Sequence, residues 1–154
     1  MNKIDLDAVV ELSGTRYPAP HDGPVKARRW KALGQVAGLT QFGVNLLTLP
    51  PGVWSSQRHW HALEDEFAYV ISGEVTLVMD EGEEIMHAGD CIGWKAGVKN
   101  GHVLKNNSNA NAVILIVGGR NDEDYGEYSD IDMKFLPDRY SGGGGYRRKD
   151  GTQL

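Results

Sequence analysis

The chain has 154 residues, 40% of them hydrophobic, and a formal net charge of −5. That length suits one domain with a single buried core, and the acidic balance offers no general attraction to nucleic acid or to anionic lipid. A single cysteine, Cys91, excludes an internal disulfide and is expected to act as a small buried hydrophobe.

The opening stretch, MNKIDLDAVVEL, alternates charge with short apolar groups. It has neither a signal-peptide core nor the ~20 apolar residues of a membrane span, so a cytoplasmic protein is expected. Residues 13–24, SGTRYPAPHDGP, carry three prolines and two glycines, which neither a helix nor a central strand accommodates. Residues 1–25 are therefore expected to form an arm laid on the body, with His21 exposed. From there to residue 136, short apolar runs alternate with turn signals: FGVNLLTL, EFAYVIS, EVTLVMD, EEIMHAG, CIGWK, HVLKN and AVILIVG. This spacing predicts an all-β domain, an antiparallel sandwich or barrel. Gly73 and Gly82 supply the positive φ of two hairpin turns, and AVILIVGG, apolar on both faces, is expected to be a central strand. Val75, Leu77 and Met79 share the buried face of their strand. Residues 137–154, with four consecutive glycines, are expected to form a flexible tail that can dock through Tyr146.

The chemistry concentrates at HWHALEDEF. In extended chain, residues two apart point the same way, so His59 and His61 project from one face and Trp60 from the other. A short turn would bring Glu66 beside them at the start of the next strand, with Ala68 small enough to leave room for an ion. His102 begins a strand elsewhere and could complete the set. Imidazoles and a carboxylate suit Fe, Mn, Ni, Co or Zn without selecting among them. Glu64 and Asp65 fit a solvated turn better than a ligand position. Gln57 shares the histidine face and is a candidate substrate contact, as is Lys95 for an anion; Arg58 should face away, and His87 reads as a surface residue.

Gly52, His59, His61, Glu66 and Gly73 resemble the first motif of the cupin superfamily, with one extra residue between Gly52 and His59. Gly89, Gly97, His102 and Asn106 resemble part of the second motif. There Lys95 stands where the family usually has proline, and the gap from Gly97 to His102 is two residues longer than usual. The resemblance covers roughly residues 40–118, and is nearest to stand-alone cupins described as sugar-phosphate isomerases. It implies a double-stranded β-helix, a small antiparallel barrel of jelly-roll type, with a divalent metal held by His59, His61, Glu66 and His102 inside its mouth.

Three functions stay open at this stage. The first is a metal-dependent enzyme acting on a small oxygenated substrate, isomerase-like on a sugar or sugar phosphate, with the metal as Lewis acid and Glu66 or a water carrying protons. The others are an Fe(II)-dependent dioxygenase and a non-catalytic small-molecule binder or sensor. Exposed sheet edges and the extended arm favour a homodimer.

Overall fold

The computed structural model describes residues 3–154. A 3₁₀ turn at Leu6–Ala8 precedes β1 (Glu11–Ser13) and β2 (Arg29–Lys31). One helical turn, α1 (Leu33–Val36), leads into β3 (Phe42–Leu49), β4 (Glu66–Ser72), β5 (Glu74–Met79), β6 (Gly82–His87), β7 (Cys91–Trp94), β8 (Val103–Lys105) and β9 (Ala112–Gly119). Three two-residue strands follow: β10 (Gly126–Glu127), β11 (Lys134–Phe135) and β12 (Tyr146–Arg147). No helix among the described residues is long and apolar enough to cross a membrane.

Every strand pair is antiparallel. One sheet runs β1-β2-β3-β9-β4-β7, a second β6-β5-β8, and a third, smaller one β10-β11-β12. The apolar run at 112–119 is central, hydrogen-bonded to β3 on one side and β4 on the other. The first two sheets close on one core built from Leu47, Leu49, Ala68, Val70, Ala112 and Ile114 on one side and Val75, Leu77 and Leu104 on the other. Period-2 alternation puts these residues inside, as the strand patterns predict. A smaller cluster of Tyr128, Met133 and Phe135 lies under Tyr17, Ile131 and Tyr146, so the arm and the C-terminal segment meet at the third sheet.

Gly73 joins β4 to β5 at φ 76°, and a Cβ there would stand 2.6 Å from the Asn111 carbonyl oxygen and 2.9 Å from Ala112 Cα. Only glycine meets both the backbone conformation and the close approach. Cys91 departs from expectation: it is exposed, because β7 is an edge strand and Cys91 faces outward while Ile92 and Trp94 pack inward. His87 is exposed, as expected. His21 is only half-exposed, its carbonyl accepting from Gln57.

Asn106, fully buried, ties together the end of the sandwich where β3 stops and β9 begins, away from Glu66 and Gly118. Its amide donates to the carbonyls of Leu49 and Ala110, both at 2.7 Å, and its side-chain oxygen accepts from the Ser108 amide and hydroxyl. Asn106→Ala would strand these buried groups. Chemical denaturation should show a loss of about 2–4 kcal/mol, against near-wild-type stability for a change at exposed Asn109.

Candidate metal centre and its cavity

His59 and His102 are brought together by backbone pairing rather than by sequence proximity. The His59 amide donates to the His102 carbonyl at 3.2 Å and the His102 amide to the His59 carbonyl at 2.9 Å, an isolated antiparallel bridge. Directly opposed residues of such a pair put their side chains on the same face, and the two ring centroids are 4.9 Å apart. His61 follows on the same side although residues 60–65 form no strand, while Trp60 is buried elsewhere. Glu66 is the first residue of β4, opposite Gly118 and Trp94, and the absence of a side chain at Gly118 leaves it room. The longer turn after Gly97 tucks under this cluster, the Gly97 amide donating to the His61 carbonyl at 2.8 Å.

Three of the four expected donors, His59, His61 and Glu66, stand close enough together to share an ion, and His102 joins them through Glu66. Glu66 Oε2 lies 2.8 Å from His102 Nε2, 3.4 Å from His61 Nε2 and 3.7 Å from His59 Nε2, and the Nε2 atoms of His59 and His61 are 3.1 Å apart. Donors at adjacent corners of a shared cation with bonds of about 2.0–2.2 Å stand about 3 Å apart, so these separations fit. The tautomers fit as well. His59 Nδ1–H donates to the Gln57 carbonyl and His61 Nδ1–H to Asp124, which aims both Nε2 lone pairs inward. His102 differs: its Nδ1 is buried without a partner, and its ring is held by stacking on Trp94 at 3.9 Å and 8°.

Charge states follow from this packing. Burial, then the neighbouring imidazoles of His102 and His61, push His59 down to about 3, so it is neutral. Burial also opposes charge on His61, but hydrogen bonds to Asp124 and Glu66 outweigh it and raise His61 to about 9. Burial would raise Glu66; hydrogen bonds from His102 and His61 outweigh it and hold the carboxyl well below its usual range. Below pH 9 a proton on His61 thus occupies the region a cation would take.

Behind His61 stands a second cluster that the sequence reading assigned differently. Glu64, expected in a solvated turn, is 4% exposed. It accepts from Arg139 Nη2 at 2.8 Å, from the Tyr140 hydroxyl and from the Asn121 amide, while Arg139 also reaches Asp124 at 2.8 Å. The C-terminal segment supplies the partner that makes burial of this carboxylate tolerable, and a local reading of residues 62–66 contains no trace of it. His61, Glu64 and Asp124 also sit closely enough to hold an ion, but the Arg139 guanidinium already bridges the two carboxylates.

A cavity of about 810 Å3 opens from the donors toward the arm and the C-terminal segment. Gln57 lies outside its lining: it is buried, its amide donating to the His21 carbonyl at 2.8 Å, because the arm folds back over this position. Lys95 is exposed and borders a second pocket of 110 Å3 that His61, Glu66 and His102 also line. Arg58 faces away and pairs with Asp80 and Asp130. Arg28, Tyr17, Tyr128 and Arg139, all on the cavity wall, carry no spacing signal that would have marked them in advance.

Two outcomes are expected. A divalent ion must displace the His61 proton, so its apparent affinity should tighten by about tenfold per pH unit as pH rises toward 9, with proton release visible by calorimetry in buffers of different ionisation enthalpy. Asp124→Asn, which weakens the acceptor that orients His61, should reduce metal affinity by about 10- to 100-fold in competition with a chelating dye.

The Cupin domain family matches residues 45–118, which include all four donors. No curated protein matches significantly. Among solved structures, a sugar phosphate isomerase from a cupin superfamily, from Silicibacter pomeroyi, is 42% identical over 99% of this chain and 96% of its own, with a TM-score of 0.95. A candidate sugar phosphate isomerase from Acidithiobacillus ferrooxidans is 27% identical over 83% of this chain and 80% of its own, with a TM-score of 0.75. The polyketide cyclase RemF from Streptomyces resistomycificus, at 22% identity, 79% and 80% coverage and a TM-score of 0.63, shares the fold. Two facing antiparallel sheets, the His59–His61–Glu66–His102 cluster and near-full-length identity of 42% agree: this chain belongs to the cupin superfamily.

Proposed function

We propose that this protein is a metal-dependent enzyme acting on a small oxygenated substrate, isomerase-like on a sugar or sugar phosphate. The observation that carries the reading is the cluster of His59, His61 and the ionised Glu66 on the wall of a cavity of about 810 Å3, with His102 hydrogen-bonded to Glu66. His59, His61, Glu66 and His102 would hold a divalent ion. Bound there, the ion would act as a Lewis acid on a carbonyl or hydroxyl oxygen and stabilise developing negative charge. The sugar phosphate isomerase named for the relative from Silicibacter pomeroyi supports the substrate class; fold alone would not, since one fold serves many reactions.

The chain's own residues contribute in separable ways. Asp124 and the Gln57 carbonyl fix the ring orientations of His61 and His59. Glu66, once loosened from the ion, or a nearby water would carry protons. Tyr17 lines the cavity; its hydroxyl accepts from the Gln57 amide, and burial pushes its pKa up to about 12. Phe135, packed 5.1 Å from the His61 ring, closes the side of the site against water.

The test is reconstitution with Fe(II), Mn(II), Ni(II), Co(II) or Zn(II), followed by aldose–ketose conversion assays on a panel of sugars and sugar phosphates. Turnover with at least one ion is expected, together with its loss and the loss of bound metal in His59→Ala, His61→Ala and His102→Ala. Oxygen uptake by the ferrous protein during turnover would replace this reading with a dioxygenase. Tight binding without turnover of any panel member would replace it with a binder or sensor.

A further inference from the structure

The two ends of the cavity differ in charge. Of the eight arginines, Arg29, Arg58, Arg139 and Arg148 are each paired with a carboxylate, and Arg16, Arg28, Arg120 and Arg147 have no such pairing among the described residues. Three of the unpaired four, Arg16, Arg28 and Arg120, line the cavity. Arg16 and Arg120 are exposed, and water can solvate them; Arg28 is largely removed from water. A guanidinium buried without a counter-charge is costly unless something anionic completes its surroundings.

Arg28 is also held in a fixed pose. Its Nε donates to the Gly14 carbonyl at 3.1 Å and its Nη1 to the Ser55 carbonyl, while its Cζ lies 5.4 Å from the Trp30 ring centroid. Carbonyls orient the fork without neutralising it, and Nη2 has no hydrogen-bond partner among the described residues. Burial, acting against the charge, lowers the guanidinium pKa from its ordinary value. The wall around it is phenolic: Tyr17 packs on Tyr128 at 5.4 Å and on Tyr146 at 5.6 Å, edge to face and tilted. Tyr128 in turn is 5.9 Å from His59, so two ring-to-ring steps join the metal-ligand cluster to the Arg28 end.

We infer that Arg28, assisted by Arg16, forms an oxyanion subsite at the arm end of the cavity, which takes the phosphate or carboxylate of a substrate whose other end meets His59, His61, Glu66 and His102. Only the occupant of the far end rests on the metal-dependent reading above; the subsite itself stands on the unpaired guanidinium. A planar fork with a free edge suits a phosphate or carboxylate oxygen pair.

The probes are inorganic phosphate and acetate, titrated calorimetrically into the full chain with and without added Mn(II). Phosphate or acetate should bind in both forms, with affinity reduced by on the order of 10- to 100-fold in Arg28→Gln and by a smaller factor in Arg16→Gln. Should Arg28→Gln fail to fold, Arg28→Lys, which keeps the charge but not the fork, carries the test through a several-fold loss. Preference for phosphate assigns the subsite to phosphate monoesters and preference for acetate to carboxylates, either result supporting it. Unchanged affinity in the Arg28 variants, or anion binding seen only with metal present, overturns it. Anion binding that depends on Arg28 in a protein without sugar-phosphate turnover would overturn the proposed function and leave the subsite standing.

Discussion

Two buried imidazole nitrogens lie 3.1 Å apart, each on a ring whose other nitrogen already donates to a fixed acceptor. Bare lone pairs at that distance repel, so the site requires something positive between them. At neutral pH the His61 proton meets the requirement, and a divalent cation would meet it better, since it can also be shared with Glu66 and His102. The surrounding architecture is arranged to keep this contact in place. The backbone bridge between His59 and His102 fixes two of the rings, Gln57 and Asp124 fix the tautomers, and the glycine at 118 clears space for the carboxylate.

The cluster would not hold together on its own charges. Glu66, Glu64 and Asp124 bring three carboxylates into a small buried volume, and unpaired burial of any of them would favour protonation or unfolding. Arg139 resolves this by reaching from the C-terminal segment to Glu64 and Asp124 together, stacked over Phe135 at 4.5 Å. The orientation of His61 therefore depends on a residue 78 positions further along the chain, through Asp124.

Charge in the cavity is segregated by the same logic. The imidazole and carboxylate groups occupy the end formed by the facing sheets, whereas the arm contributes Arg16 and Tyr17 and frames Arg28 through Gly14. In a protein with a net charge of −5, the arm end thus adds cationic, hydrogen-bond-donating groups to a cavity that Arg120 and Arg139 also line. Tyrosines joining the two ends are stiff, amphipathic spacers, apolar along the ring and donating at the tip, which suits a ligand with a carbon chain between two oxygenated ends.

The sequence by itself determined the all-β class, the order of the principal strands and the glycine turns at 73 and 82, and it pointed to His59, His61, Glu66 and His102 as candidate donors. Each of these is written in local terms: period-2 alternation, a turn residue with forced φ, or a spacing that sets which face a side chain takes. The tertiary structure alone decided that Glu64 is buried rather than solvated, that Gln57 binds the arm instead of the cavity, that Cys91 faces outward, and that Arg28, Tyr17, Tyr128 and Arg139 make the walls of the site. Most of those outcomes turn on partners from 27 to more than a hundred residues apart, brought together by strand pairing and by the docking of both ends of the chain. A residue's own neighbours carry no record of a counter-charge that arrives from the other end of the polypeptide, and it is the counter-charge that decides whether an ionisable side chain may leave water.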